Sequence, residues 1–210
     1  MRAAPRPVIR PASRLGTPSG GDPDALNAPL FHSLIERLES GGRCVVMDLG
    51  AARTETISLL GQFRCRLEIV DLAESLDELN AEEDASRLRR RAEALLPAPR
   101  REPIDVVLCW DLLNYLQRLA LAAVMDGVAA RARPGTLAHA LVIMSTPRMP
   151  ARPAGYVPLP DHRLAAHRTA GGERDAPRYT PEDLGRCLRE FSVERVMLLR
   201  NGMQEYLFRT

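Results

Sequence analysis

Three short, continuous apolar runs separated by stretches of helical periodicity constrain this chain more than anything else in it. They are Arg43-Cys-Val-Val-Met-Asp-Leu49, Ile104-Asp-Val-Val-Leu-Cys-Trp110 and Leu137-Ala-His-Ala-Leu-Val-Ile-Met144. Each is apolar at successive rather than alternate positions, so both faces of the strand must be covered. That is the condition of a parallel sheet between two layers of helices. Arg66-Leu-Glu-Ile-Val-Asp71 reads as a further strand, ending on an acid. Leu30, Leu34, Ile35 and Leu38 share one face at helical spacing, and Gly41-Gly42 ends that helix. Residues 54–62 predict a helix with Ile57 and Leu60 inward. Residues 74–96 predict a polar helical region broken once, and 117–132 a helix closed by Arg133-Pro-Gly135. Thr180-Pro-Glu-Asp183 is a helix start: Thr180 can cap, Pro181 suits the first turn, and Asp183 holds the reciprocal position. Val193–Leu199 and Gln204–Arg209 flank Asn201-Gly202, a strong hairpin signal. The order predicts an α/β fold, a Rossmann-like doubly wound, mostly parallel sheet with a C-terminal antiparallel hairpin.

The 210 residues suffice for one domain. Residues 1–27, rich in Pro, Arg and Gly, read as a flexible leader before an α/β domain over 28–210. Residues 145–178 hold six prolines and no strand or helix signal, so they predict a long irregular loop of the kind that serves as a lid, a substrate loop or a mobile insertion. All 29 basic residues are arginine, which excludes Schiff-base and P-loop lysine chemistry. Against 27 acids the net charge is +2, with local excesses of +2 over 1–24 and +3 over 145–178. No uniformly basic face follows, and aromatics at 4% offer few stacking platforms, so there is no clear nucleic-acid signal. Cys44, Cys65, Cys109 and Cys187 form no CxxC pair, which argues against structural zinc and a disulfide scaffold. No apolar run reaches membrane-spanning length, and no signal core follows the N-terminal arginines, so a cytoplasmic location is the default expectation.

In such sheets ligands bind beyond the carboxyl ends of the strands, where the strand order reverses. The first strand ends at Asp48-Leu-Gly-Ala-Ala-Arg-Thr54, where Gly50 permits a tight turn or a close backbone approach. Asp71 lies 21 residues beyond Gly50, a spacing that fits a second-strand carboxylate gripping the two hydroxyls of a ribose. Trp110 and Asp111 close the next strand, with Asn114 and Tyr115 just after it. His162 and His167 in the long loop are candidate general bases, and no ligand set for a metal accompanies them. Ser145 and Thr146 follow a strand without a nucleophile-elbow motif.

Together, Val45-Val-Met-Asp-Leu-Gly50 with Asp71, Ile104–Leu116, and Tyr179-Thr-Pro-Glu-Asp-Leu184 with Phe191 and the hairpin resemble the class I S-adenosylmethionine-dependent methyltransferase family over about 28–210. The glycine loop is degenerate: the family's three glycine positions hold Gly50, Ala52 and Thr54, and no third strand with its acid is evident between 74 and 98. The resemblance implies S-adenosylmethionine as cofactor. It also implies roles for six residues. Asp48 would support the loop, Gly50 would pass beneath the cofactor, Asp71 would hold the ribose, Leu72 would lie near the adenine, and Trp110 and Asp111 would line the pocket near the acceptor. The expected function is methyl transfer to a small-molecule or protein acceptor, which needs positioning more than acid–base machinery. The alternative is a noncatalytic domain of the same fold working as a protein-interaction module. The local charge of 145–178 would favour an anionic acceptor.

Overall fold

The computed structural model describes residues 25–144, 146–161, 163–168 and 171–210. The expected leader falls almost wholly on residues outside this set, as do Ser145 and His162. Six strands form one sheet: β1 (Cys44–Asp48), β2 (Cys65–Ile69), β3 (Ile104–Trp110), β4 (Ala132–Ile143), β9 (Ser192–Leu198) and β10 (Met203–Arg209). Their spatial order is β2-β1-β3-β4-β10-β9. The first four run parallel, and β10 inserts antiparallel between β4 and β9. The chain leaves β1 toward β2 on one side and returns to β3 on the other, so the order reverses at the carboxyl end of β1. The stretch without a third-strand signal forms no strand. It folds as a 3-10 turn (Leu72–Ser75), α3 (Leu76–Ala81) and α4 (Ala85–Leu95), leaving β2 as the sheet edge.

Two cores follow from strict alternation on the central strands. Val46, Val106, Leu108 and Leu141 face α1 (Pro29–Ser40) and Leu60 of α2 (Thr54–Leu60). Val45, Met47, Val107 and Cys109 face the opposite layer of α3, α4, α5 (Arg118–Ala129) and α6 (Pro181–Cys187). In α2 the residues turned inward are Thr56 and Leu60. Ile57, expected inside, is 44% exposed, because this seven-residue helix seats only one narrow face. The expected capping box of α6 is present, Thr180 and Asp183 exchanging hydrogen bonds. The strand expected from Leu137 begins earlier. Its backbone meets β3 already at Ala132, then bulges around Gly135, whose φ of +88° suits glycine alone.

The expected irregular loop is a folded arm. β5 (Arg148–Pro150) pairs with β8 (Glu173–Asp175), and inside them β6 (Gly155–Pro158) pairs with β7 (Leu164–His167), all antiparallel. Prolines sit at the strand ends, where no ladder donor is required, which is why they neither signal nor prevent the pairing. Leu26 joins the arm through two backbone bonds to Leu164. Among the described residues no helix is long and apolar enough to cross a membrane.

Candidate functional site

The turn after β1 and the turn after β2 meet at one rim. Val70 N donates to Asp48 O at 2.8 Å and Leu72 N to Leu49 O at 2.9 Å, so the residues around Asp71 lie directly beside the Gly50 turn. Asp71 adopts the left-handed region, φ +51°, which turns the chain sharply out of β2. Trp110 also has a positive φ, +50°, at a register shift between β3 and β4. That kink aims its indole back across β1. Nε1 donates to Asp48 Oδ1 at 2.7 Å, and the Gly50 amide donates to the same oxygen at 2.9 Å. The left-handed conformation costs a bulky residue such as Trp110 about 1–2 kcal/mol, whereas an aspartate such as Asp71 adopts it more readily.

Asp48 is therefore a tie rather than a cleft wall. Burial is the main influence on its carboxyl and pushes it up to about 6, against the opposing pull of the Trp110 and Gly50 hydrogen bonds. Gly50 is required sterically, since a Cβ there would stand 2.6 Å from Trp110 Cδ1. Gly50→Ala is expected to displace the indole at a cost of roughly 1–3 kcal/mol. Trp110 is the sole tryptophan, so its emission reports the movement directly. Unchanged emission together with unchanged stability would show that the backbone yields instead.

A cleft of about 160 Å³ opens at this rim. Of the six residues expected at the site, Gly50, Asp71 and Trp110 line it. Leu72 is turned into the core and 1% exposed, because the 3-10 turn after Asp71 rolls it beneath the sheet edge. Asp111 lies behind the wall, 4% exposed. Its Oδ2 accepts from Ala154 N of the arm at 3.1 Å, while Oδ1 has no hydrogen-bond partner among the described residues. Burial pushes the Asp111 carboxyl up to about 7, with Arg168 and the Tyr156 hydroxyl acting in the other direction. Asn114 does not line this cleft: it braces the turn after β3 by donating to Leu141 O and accepting from Ile143 N.

The sequence pointed to 145–178 as a lid or substrate loop but singled out none of the residues that roof the cleft. Arg152, Pro153, Ala154 and Gly155 of the arm form its lid. Tyr115 holds this lid by donating from its hydroxyl to Arg152 O at 2.8 Å, and Tyr156 stacks on Trp110 with ring centroids 5.9 Å apart. In the Gly50–Thr54 segment, Ala51 and Arg53 line the cleft, whereas Ala52 and Thr54 are exposed. The side chains at the two positions where the resemblance leads one to expect glycine are thus exposed. Arg53 packs so closely on Gly155 that a Cβ there would overlap its guanidinium, and its Nε is buried without a partner among the described residues. His167 is exposed at the end of β7, away from the cleft lining.

No family model and no curated protein sequence matches the chain. Solved structures do. A S-adenosylmethionine dependent methyltransferase from Mesorhizobium loti is 15% identical, with 87% of this chain and 96% of that chain covered and a TM-score of 0.53. The glycopeptide N-methyltransferase MtfA with bound S-adenosylmethionine is 16% identical over 93% of this chain and 99% of that one, with a TM-score of 0.49. The Burkholderia thailandensis 1,6-didemethyltoxoflavin-N1-methyltransferase is 17% identical over 86% and 77%, with a TM-score of 0.47. The Mesorhizobium likeness, with the mostly parallel sheet and its reversed β10, gives the chain the class I S-adenosylmethionine-dependent methyltransferase fold.

Proposed function

We propose that the chain is a methyltransferase that holds S-adenosylmethionine between the Gly50 turn and Asp71 and passes its methyl group to a small acceptor. One observation carries the reading: the Gly50 turn and the Asp71 backbone are tied together at the strand-order reversal, around a cleft roofed by a separate arm. The donor set suits the cofactor. Asp71 offers two carboxylate oxygens to a vicinal diol. Arg53 offers to an amino-acid carboxylate a guanidinium whose buried Nε has no partner among the described residues. S-adenosylmethionine supplies a methyl already activated on sulfonium, so this chain's residues have only to bind, align and exclude water.

The cleft volume favours a second reading. At about 160 Å³ it is smaller than the ~300–1,000 Å³ usual for ligand sites. The methyltransferase reading therefore requires residues 151–155 to lift, as lids do. The alternative is a noncatalytic domain that keeps the fold, with the Trp110 indole filling the space over Gly50, and acts through a protein partner. Calorimetry separates them. Under the first reading S-adenosylhomocysteine binds the full chain at micromolar concentration, and Asp71→Ala weakens it by at least ~10-fold, the worth of a charge-assisted hydrogen-bond pair. Absence of heat with millimolar cofactor and folded protein leaves the interaction module.

A further inference from the structure

A second, larger cavity lies on the far side of the Trp110–Tyr156 stack. About 1,000 Å³ is enclosed by residues 25–29, strands β6 and β7 of the arm, and the β9–β10 hairpin. Its composition is lopsided. Tyr156, Met197, Leu199 and Met203 give it an apolar floor, Arg163, Arg168 and Arg200 give it three guanidiniums, and among the described residues no Asp or Glu lines it. Arg163 is satisfied by Asp161 at 2.6 Å. Arg168 and Arg200 enter no ion pair among the described residues. Arg168 is exposed at the cavity wall, and its charge reaches Asp111, Tyr115 and Tyr156.

We propose that this cavity binds a small organic anion, a flat or apolar body carrying a carboxylate or a similar acidic group. The body lies on Tyr156 and the methionines, and the acid pairs with Arg168 and Arg200. Guanidiniums match carboxylates in planar, paired hydrogen bonds, and a large mixed cavity with a few convergent polar groups is what small-ligand sites look like. A ligand on Tyr156 lies one ring stack away from Trp110, and Trp110 lines the nucleoside cleft. The role of the anion as methyl acceptor rests on the methyltransferase reading; its binding does not.

Naphthalene-2-carboxylate and its neutral carboxamide are the probes, titrated calorimetrically into the full chain without cofactor. The carboxylate is expected to bind ~10-fold or more tightly than the amide, and Arg168→Gln and Arg200→Gln each to remove most of that preference. Both side chains are exposed, so the fold withstands their loss. Arg89→Gln, on the opposite helix layer, is the control and should leave binding unchanged. Equal binding of acid and amide, no saturation at millimolar probe, or an equal loss in the Arg89 variant overturns the proposal. A parallel titration with S-adenosylhomocysteine keeps the two readings apart. If the nucleoside binds and the carboxylate does not, the anion site is wrong. If the carboxylate binds with the expected preference and the nucleoside does not, the anion site stands and the methyltransferase reading falls.

Discussion

Glu205→Ala is expected to lower the melting temperature by about 10 °C, corresponding to roughly 3–5 kcal/mol in a domain of this size. Glu205 is fully buried on β10, and no ion-pair partner other than His139 reaches it among the described residues. Its two oxygens accept from Leu30 N at 3.0 Å and Phe31 N at 2.7 Å, the first free amides of α1. That helix begins Ala28-Pro29, with no side-chain cap of its own. Glu205 supplies the missing cap from a strand 175 residues away and places negative charge at the positive end of the helix. His139 Nε2 completes the group at 2.8 Å from Oε1. Deleting the carboxylate leaves two buried amides and an imidazole without their acceptor, each at a cost of about 1–3 kcal/mol. Glu205→Gln keeps one acceptor oxygen and should lose less. Urea unfolding measures the difference, and hydrogen exchange at Leu30 and Phe31 locates it. An alanine variant that melts with the parent would mean that α1 finds its cap elsewhere.

Asp111→Asn should have the opposite sign and depend on pH. An unfolded aspartate releases its proton at about pH 4, whereas burial holds the Asp111 proton up to about 7. Between these values the folded chain binds more protons than the unfolded one. Stability attributable to this group therefore falls as pH rises from about 4 to about 7 and stays reduced above that. A shift of about three pH units corresponds to roughly 4 kcal/mol. The asparagine side chain has no charge to desolvate. Its oxygen can accept from Ala154 N, and its amide can donate toward the Tyr156 hydroxyl, so the arm stays tethered. The charged or titratable neighbours, Arg168, Tyr115 and Tyr156, are the same in both proteins, so the difference isolates position 111. The variant is expected to gain about 2 kcal/mol at pH 8, after an allowance for imperfect pairing of the amide, and nothing at pH 4. Urea midpoints at the two pH values decide it; equal midpoints at pH 8 would remove the buried charge from the account.

The sheet was legible because its signals are local. Runs such as Val45–Met47 and Val106–Trp110 are apolar at every position, and only a doubly covered strand tolerates that. Asn201-Gly202 and Thr180–Asp183 carry their turn and cap within four residues. The convergence of Gly50 with Asp71 was legible for a topological reason: two parallel neighbours place their carboxyl ends at one rim. The arm was not legible. Its ladders join Arg148 to Asp175 and Gly155 to His167, and residues spaced so far apart leave no periodic trace. Leu72 and Asn114 were out of reach for a related reason. Their placement depends on the direction a short 3-10 turn takes, which neighbouring elements decide.

By itself, then, the sequence determined the strands of the central sheet, the helices beside it and the rim at which the Gly50 and Asp71 turns meet, because period and turn chemistry act over a few residues. Only the tertiary structure decided that the Trp110 indole lies over Gly50, that Ala52 and Thr54 turn outward while Arg53 turns in, and that α1 is capped from β10. Those outcomes depend on packing between segments far apart in the chain, where a single kink at Trp110 or one buried carboxylate at Glu205 chooses among arrangements that local pattern leaves equally open.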